Sequence, residues 1–334
     1  MHEFKTKLLL EDVARPVPAV GEVLIAVEAC GVCHSDLHVC DGDWPQFAKI
    51  VKKPLIPGHE IAGRVIEKGS GVVGLEIGDR VGVPWLYWSC GECEMCREGY
   101  ENLCSKQKIT GVTADGGYAE FMVAPASHTT RIPEGLSSVE AAPLFCAGVT
   151  AYRALAQTRI VAGQRLAVFG VGGLGHLAVQ IGREMGAEVI AVDISDEKLA
   201  LARSHGASQI LNASSPDTVK ALRRMGGAHV AIVTSAAKSA YDMAFAGLRA
   251  TGTLLMVGLP AESIGFPPIS MAAGEVHIRA SAVGTRRDLQ DVLAMAAAGK
   301  VRCQVGSRPL AEANEVLDEL RHGKISGRVV LTPQ

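Results

Sequence analysis

The fold predicted for this chain follows first from the stretch Arg165-Leu-Ala-Val-Phe-Gly-Val-Gly-Gly-Leu-Gly175. A buried strand over residues 165–170 runs into a G-x-G-x-x-G turn, and residues 174–185 then follow helical periodicity up to Gly186. The glycines permit a tight turn, close approach of the backbone to a pyrophosphate, and close packing of the helix on the strand. Because a helix N-terminus presents free N–H groups to phosphates, the stretch predicts a dinucleotide site.

The next strand supports this interpretation. Residues Glu188-Val-Ile-Ala-Val-Asp193 form a second buried strand that ends on an acid, about 20 residues beyond the glycines. The Asp193 carboxylate can accept hydrogen bonds from both ribose hydroxyls but would repel a 2′-phosphate, which favours NAD over NADP. The alternative is a bare strand-to-helix turn with an aspartate that caps a helix.

Beyond this stretch, the second half of the chain alternates strands with helices, which predicts parallel strands and right-handed crossovers. The further elements predicted there are a helix over 196–205 and strands over 228–234, 253–257 and 276–282. The first half has short strand-like runs, such as Glu22–Glu28 and Ile61–Glu67, separated by turn residues. The tail from Asp288 is predicted to be mostly helical and to end in a strand, Gly327–Leu331, that returns to the first domain. The predicted class is α/β, with a β-rich domain and a doubly wound parallel sheet.

Length, charge and hydropathy limit the classes of function that this chain can have. With 334 residues, the chain exceeds what one core usually organises, so two domains are expected. The 33 basic and 35 acidic residues nearly balance, which argues against nucleic acid or an anionic membrane as the partner. No apolar run approaches the roughly 20 residues of a membrane helix, and the first residues lack a signal-peptide core. We therefore expect a cytoplasmic protein with a small-molecule substrate.

Four cysteines lie within residues 90–104, three of them at intervals of three: Cys90, Cys93, Cys96 and Cys104. Four thiolates this close match one tetrahedral metal, with zinc as the default. Two disulfides are the alternative, but they suit a secreted context for which the sequence gives no sign. A four-thiolate site has no open coordination position, so this zinc is expected to hold a loop and not to perform chemistry.

An open metal site requires other ligands, and Cys33, His59 and Cys146 are the candidates. Singly, each has a simpler explanation, because buried cysteines pack as small apolar residues and a loop histidine can be satisfied by hydrogen bonds. Spacing alone does not establish a site assembled from three distant segments.

Several motifs occur together in one order. They are Gly31-Val-Cys-His-Ser-Asp-Leu-His38, Gly58-His-Glu60, the four-cysteine segment, Leu144-Phe-Cys-Ala-Gly-Val-Thr-Ala-Tyr152 and Gly170-Val-Gly-Gly-Leu-Gly175. In this order the chain resembles, over essentially its whole length, the zinc-containing medium-chain alcohol dehydrogenases, most of all their bacterial and yeast-like branch. The resemblance implies a GroES-like catalytic domain (residues 1–146 and 284–334) with a zinc lobe at about 88–106, and a Rossmann domain (residues 147–283).

The resemblance also implies roles for individual residues. Cys33, His59 and Cys146 would hold a catalytic zinc, so two zinc ions per chain are expected. Glu60 would lie behind this metal, Asp36 would orient the ligating histidine, and Ser35 and His38 would relay the substrate proton to solvent. The residues that would contact NAD are His34, Thr150, Gly170, Gly172, Gly173, Leu174, Gly175, Asp193, Lys198 and Arg328.

Trp44 and Trp85 resemble bulky pocket residues that would select small alcohols, although core packing explains them almost as well. The expected reaction is the reversible oxidation of small primary alcohols to aldehydes with hydride transfer to NAD, in a homotetramer. Cys30, Cys40 and Cys303 receive no role beyond packing.

The sequence leaves four alternative functions. A zinc-free quinone reductase would lack these ligands, and a polyol dehydrogenase commonly has an acid in place of Cys146. A cinnamyl-type aryl alcohol or aldehyde reductase shares both zinc motifs but usually lacks an acid at the position of Asp193. A catalytically silent nucleotide-binding relative is the alternative from outside the enzymes.

Overall fold

The computed structural model describes residues 1–260 and 262–333, which divide into two compact units. The first comprises Met1–Cys146, Thr285–Ala298 and Cys303–Gln334, and the second comprises Ala147–Gly284 and Gly299–Arg302. Gly284 and residues 299–302, which the family resemblance placed in the first domain, belong to the second unit. Residues 299–302 are held there in part by the Gln180 side chain, which accepts from the Arg302 N–H and donates to the Arg302 C=O, at 2.9 Å each.

The strands are β1 (Glu22–Gly31), β2 (Glu60–Lys68), β3 (Arg80–Val83), β4 (Leu86–Trp88), β5 (Lys108–Ile109), β6 (Phe121–Pro125), β7 (Thr130–Arg131), β8 (Arg165–Phe169), β9 (Glu188–Asp193), β10 (Gln209–Asn212), β11 (Ala228–Val233), β12 (Leu248–Met256), β13 (His277–Ala280), β14 (Val305–Pro309) and β15 (Arg328–Thr332). The α-helices are α1 (His34–Asp41), α2 (Pro45–Ala48), α3 (Glu94–Arg97), α4 (Ser138–Ala141), α5 (Ala147–Ala156), α6 (Gly175–Glu184), α7 (Asp196–Ser204), α8 (Thr218–Arg224), α9 (Lys238–Ala246), α10 (Pro268–Gly274), α11 (Arg286–Ala297) and α12 (Ala313–Arg321). Short 3-10 turns cover Glu101–Leu103, Ala126–His128, Ala142–Phe145 and Leu310–Glu312.

The second unit is built on a parallel sheet in the order β10-β9-β8-β11-β12-β13. This confirms the predicted doubly wound sheet, in which strand order reverses between β8 and β11 and ligands bind beyond the carboxyl ends of the strands. The glycine turn follows β8, and Asp193 ends the neighbouring β9. Both therefore lie at that edge of the sheet.

One boundary in this sheet differs from the prediction. Strand β12 begins at Leu248, five residues before the expected Thr253. The residues of β12 before Thr253 pair irregularly with β11, because Ala228 lies opposite Leu248 whereas Val230 lies opposite Thr253. Thr251 has a φ of 64°, in the left-handed region. The Arg-Ala-Thr-Gly sequence there shows no strand periodicity, so pattern alone missed it.

The first unit is built on a mostly antiparallel sheet in the order β14-β15-β1-β2-β3-β7, with β6 also paired to β1. The predicted return of the C-terminal tail is confirmed, since β15 pairs with β1 through Cys30 opposite Leu331. Strand β14, which lies parallel to β15, was not predicted because Val-Gly-Ser-Arg-Pro lacks apolar alternation. In the described ranges, no helix combines the length and apolar character needed to cross a lipid bilayer.

Candidate functional site

Four buried side chains in the first unit converge on one point. The ligand atoms of Cys33, His59, Glu60 and Cys146 all lie within 4.8 Å of one another. Each lies at the end of an element: Cys33 lies between β1 and α1, His59 directly precedes β2, Glu60 begins β2, and Cys146 precedes α5. The fold thus brings together the three distant segments that the sequence could not connect by spacing.

Asp36 organises two of these residues at once. Its Oδ1 accepts a hydrogen bond from His59 Nδ1 at 2.8 Å, and its Oδ2 accepts one from the Cys33 backbone N–H at 2.9 Å. Asp36 is the third residue of α1, so its carboxylate also closes the capping box of that helix. A histidine whose Nδ1 carries the proton has its Nε2 lone pair free for a metal.

The free nitrogen fits a metal. His59 Nε2 is buried and has no hydrogen-bond partner in the part of the chain that the structure describes. An unpaired buried nitrogen is costly unless a ligand outside the protein satisfies it. Two thiols and one imidazole are a donor set of catalytic zinc, a class of site in which the fourth position is taken by water or substrate.

The two thiols of the cluster differ in their tendency to ionise, because the hydrogen bond with Cys33, together with burial, raises the pKa of the Cys146 thiol well above its usual value. Hydrogen bonding from Cys146 holds the pKa of the Cys33 thiol well below its usual value, against the opposing effect of burial. Burial alone would lower the pKa of His59, but the Asp36 carboxylate raises it overall. The thiolate form of Cys33 is the form that binds a metal cation.

Glu60 is held from the other side by Arg328. The Arg328 guanidinium donates to Glu60 Oε1 at 2.5 Å, whereas Oε2 is buried without a hydrogen-bond partner among the described residues. Burial raises the pKa of Glu60 to about 7, although Arg328 opposes that rise. Gly31 makes room for this carboxylate, since a Cβ there would lie 1.8 Å from Glu60 Oε2. Arg328 is only 4% exposed, and its guanidinium is occupied by Glu60. Its contact with the cofactor phosphates stays a prediction.

The predicted relay residues lie on α1, directly after Cys33. Ser35 is half-buried and His34 is exposed on the same helix. His38 Nδ1 lies 3.1 Å from Asp43 Oδ2, and the His38 ring contacts Trp44 at 4.8 Å between centroids.

A row of aromatic rings connects this helix with the ligand cluster. Trp44 contacts Phe47 at 5.4 Å, Phe47 contacts Trp85 at 6.1 Å, and Trp85 meets the His59 ring edge-on at 4.9 Å. Both predicted pocket tryptophans therefore belong to one row that ends at His59. Sequence reasoning missed Phe47, although its position three residues after Trp44 on a helical turn was an available signal.

In the second unit, the glycine turn has the geometry that required glycine. Gly170 has a φ of 90°, and a Cβ on Gly175 would lie 1.8 Å from the Gly170 carbonyl oxygen. At Gly172 a Cβ would meet no atom within 4 Å, so that face of the turn has open space beside the backbone. Gly173 and Leu174 complete the turn before α6.

Asp193 is tied to this turn. Its Oδ2 accepts the Val171 N–H at 2.6 Å and its Oδ1 accepts the Ser195 N–H at 3.0 Å. Two backbone donors hold the carboxylate at the edge where the glycine turn begins. Of the other residues expected at the cofactor, Lys198 lies in the first turn of α7, and Thr150 is buried on α5.

The four-cysteine segment forms a second cluster in the first unit. Its sulfurs lie 3.6 Å apart for Cys90 and Cys104, and 3.9 Å apart for both Cys90–Cys96 and Cys93–Cys104. A disulfide would need about 2.05 Å. Tetrahedral zinc with Zn–S bonds of about 2.3 Å separates its sulfurs by about 3.8 Å. The four thiols are free and have the spacing of a zinc site.

A polar network that the sequence did not predict docks this lobe. Arg286, the first residue of α11, donates to Glu101 through its backbone N–H at 2.8 Å and through its guanidinium. The same guanidinium donates to the Ser127 carbonyl at 2.8 Å. The Ser89 N–H, next to Cys90, donates to Nε2 of the buried His128 at 3.0 Å. These partners are separated by 39 to 185 residues, so no local pattern reveals them.

The buried imidazole of His128 predicts acid sensitivity. Burial, with Arg286 nearby, lowers the pKa of His128 from 6.5 to about 4. Between these values the unfolded chain binds a proton that the folded protein excludes, so stability falls as pH falls through this window. His128→Gln keeps an acceptor for the Ser89 N–H and does not titrate. We expect wild-type protein to lose about 2 kcal/mol more than this variant between pH 7 and pH 5 in urea unfolding. If the free energy of unfolding fell by the same amount in both proteins between pH 7 and pH 5, this prediction would be wrong.

Two family models match this chain, one in each half of the sequence. Residues 19–134 match the alcohol dehydrogenase GroES-like domain, and residues 173–298 match the zinc-binding dehydrogenase family. An alcohol dehydrogenase of Geobacillus stearothermophilus is 46% identical over 332 residues, covering 99% of this chain and 98% of the relative. The crystal structure of an alcohol dehydrogenase from Aeropyrum pernix superposes with a TM-score of 0.93 at 36% identity, covering 100% of this chain and 98% of the other. Acetophenone reductase from Geotrichum candidum, solved with NAD, superposes with a TM-score of 0.88 at 31% identity, covering 98% and 94%.

Proposed function

Because this chain belongs to the zinc-containing medium-chain alcohol dehydrogenase family, we propose that it reversibly oxidises small primary alcohols to aldehydes and passes the hydride to NAD. The observation that carries the proposal is the buried, unpaired Nε2 of His59 within 4.8 Å of the Cys33 and Cys146 sulfurs. A three-ligand site of this kind keeps a coordination position open for substrate.

Cys33, His59 and Cys146 would hold the catalytic zinc. When bound, zinc supplies Lewis-acid polarisation of an oxygen ligand and favours loss of its proton. The protein's own contribution is to fix the ligands. Asp36 keeps the proton on His59 Nδ1 and fixes the orientation of the ring. Arg328 balances the Glu60 carboxylate behind the site.

Ser35 and His38 would move the substrate proton to solvent. A hydroxyl such as that of Ser35 accepts and donates at once, which suits the first step. A histidine exchanges protons near neutral pH, which suits the last. Asp43, 3.1 Å from His38 Nδ1, orients the ring and leaves Nε2 to exchange the proton.

His38→Gln is expected to lower kcat for ethanol about tenfold at pH 7 and much less at high pH, where hydroxide takes over the last proton transfer. Steady-state kinetics across pH measures this. The matched control is His322→Gln, on an exposed histidine after α12. A loss of equal size at every pH would contradict the relay.

The aromatic row of Trp44, Phe47 and Trp85 would narrow the substrate pocket. Indole rings beside the ligands leave room for short alcohols, and contact with one methylene is worth about 1–3 kcal/mol in such pockets.

Trp44→Ala is therefore expected to raise kcat/KM for a branched or aromatic alcohol relative to ethanol by about tenfold. Kinetics on a panel of alcohols measures the ratio. An unchanged preference would remove Trp44 from the pocket.

The decisive experiment follows NADH absorbance with a panel of alcohols and, in reverse, aldehydes, using NAD and NADP. We expect activity with short primary alcohols, a preference for NAD, and about two zinc ions per chain. A preference for aryl alcohols with NADP would favour the cinnamyl-type alternative. NAD binding without turnover of any substrate would indicate a silent relative.

On the same family membership we propose a homotetramer that works in the cytoplasm. Light scattering coupled to gel filtration tests the assembly, and a mass of one or two chains would contradict it.

A further inference from the structure

Asp36 is the centre of the ligand arrangement, and it receives a third hydrogen bond. Besides the donors from Cys33 and His59, the Tyr118 hydroxyl donates to Asp36 Oδ2 at 3.3 Å. Asp36 is 2% exposed, so no bulk water supports its carboxylate. A buried carboxylate depends on such donors for its position and for its charge.

The segment that carries this hydroxyl is also bound to the loop that presents His59. We call residues 116–118 the strap. The Gly116 N–H donates to Ile56 O at 2.7 Å, the Gly117 N–H to Gly58 O at 3.0 Å, and the Tyr118 N–H to Pro57 O at 3.0 Å. These three bonds hold the chain immediately before His59.

Close packing makes this attachment specific. A Cβ on Gly116 would lie 2.0 Å from Gly58 O, and a Cβ on Gly117 would lie 2.3 Å from Ile61 Cγ1. A Cβ on Gly58, which has a φ of 96°, would lie 2.4 Å from the Tyr118 ring. Only glycine allows the strap and the loop to approach this closely.

Tyr118 is therefore attached to both parts of the ligand arrangement. Its backbone and ring fix the His59 loop, and its hydroxyl reaches the carboxylate that bonds His59 Nδ1. Burial and the nearby Asp36 charge raise the pKa of Tyr118 well above its usual value, so the hydroxyl keeps its proton as a donor.

We infer that Tyr118 is a positioning residue for the catalytic metal ligands, acting through Asp36. The inference deepens the proposed function and rests on it. Among the residues that the structure describes, loss of the hydroxyl leaves Asp36 with its Cys33 and His59 donors alone, and the His59 ring loses part of the support that aims Nε2. Changes in such supporting residues typically cost 10–100-fold in metal affinity or activity.

The test compares Tyr118→Phe with Tyr87→Phe. Tyr87 is a matched control, because it packs in the same core, is 7% exposed against 9% for Tyr118, and donates at the same 3.3 Å, but to the Val123 carbonyl. We expect both variants to lose a similar, small amount of thermal stability. Only Tyr118→Phe should release the catalytic zinc to a chelator about tenfold faster.

Three further experiments separate release of the catalytic zinc from release of the lobe zinc and test whether Tyr118 acts through Asp36. Cys146→Ser identifies which phase of zinc release belongs to the four-cysteine lobe. Cobalt substitution reports ligand geometry directly, so the ligand-field bands of the Cys-Cys-His site should shift in Tyr118→Phe and not in Tyr87→Phe. Adding Tyr118→Phe to Asp36→Ala should accelerate zinc release little further, because the two act in one chain of contacts.

Equal zinc release and equal cobalt spectra in the two tyrosine variants would overturn the inference, and so would additive effects with Asp36→Ala. These readouts do not require turnover. Faster zinc release from Tyr118→Phe in a protein that oxidises no alcohol would sustain the positioning role and refute the proposed function.

Discussion

Cys146→Ser is expected to lower kcat/KM for a primary alcohol by at least about a thousandfold. Loss of the zinc removes several kcal/mol of stabilisation, and each 1.36 kcal/mol is a factor of ten. Serine is nearly isosteric, but its hydroxyl does not ionise at neutral pH as a metal-facing thiol does. The ligand set would keep only Cys33 and His59 beside the buried Glu60.

Elemental analysis should then show about one zinc per chain in place of two, with the remaining ion in the four-cysteine lobe. The control is Cys40→Ala, which removes a buried thiol on α1 that belongs to neither cluster. Two zinc ions and full activity in Cys146→Ser would show that Cys146 is not a ligand.

Asp193→Ser is expected to shift the ratio of kcat/KM values for NAD and NADP about a hundredfold towards NADP. Hydrogen bonds from ribose hydroxyls to a charged group are worth about 1.5–3 kcal/mol, and their loss weakens NAD. Removing the carboxylate also removes its repulsion of a 2′-phosphate. Steady-state kinetics with both cofactors measures the ratio.

Asp193 also accepts hydrogen bonds from the backbone N–H groups of Val171 and Ser195, so its replacement can affect the turn as well as the ribose contact. Serine retains an acceptor for one of them, and thermal unfolding will show whether the turn survives. Asp196→Ser, three residues along at the start of α7, is the control and should leave the ratio close to wild type. An unchanged ratio in a folded Asp193→Ser protein would refute its role at the ribose.

Much of the fold was predictable because local patterns of apolar residues indicate the individual strands and helices. The strand at Glu188–Asp193 was predicted with the boundaries that the structure shows, since a buried parallel strand is a continuous apolar run. Strand β14 was not, because its pairing with β15 supplies the order that its own residues do not favour. The start of β12 was missed for a similar reason, since an irregular register has no period to detect.

The two metal clusters differ in the same way. Cys90, Cys93, Cys96 and Cys104 lie within fifteen residues, so their spacing alone indicated one tetrahedral site. Cys33, His59 and Cys146 are spread over more than a hundred residues, and only the resemblance to a family linked them. Neither route indicated Tyr118, Phe47, or the network of Arg286, Glu101 and His128.

Local sequence patterns were enough to predict the parallel sheet, the glycine turn with Asp193, and the four-cysteine cluster, because each is encoded by residues close together in the chain. In contrast, the folded structure was needed to show that Asp36 joins Cys33 to His59, that Arg328 faces Glu60, and that Tyr118 supports Asp36. These contacts form between segments tens to hundreds of residues apart, once burial has removed water as the competing hydrogen-bond partner.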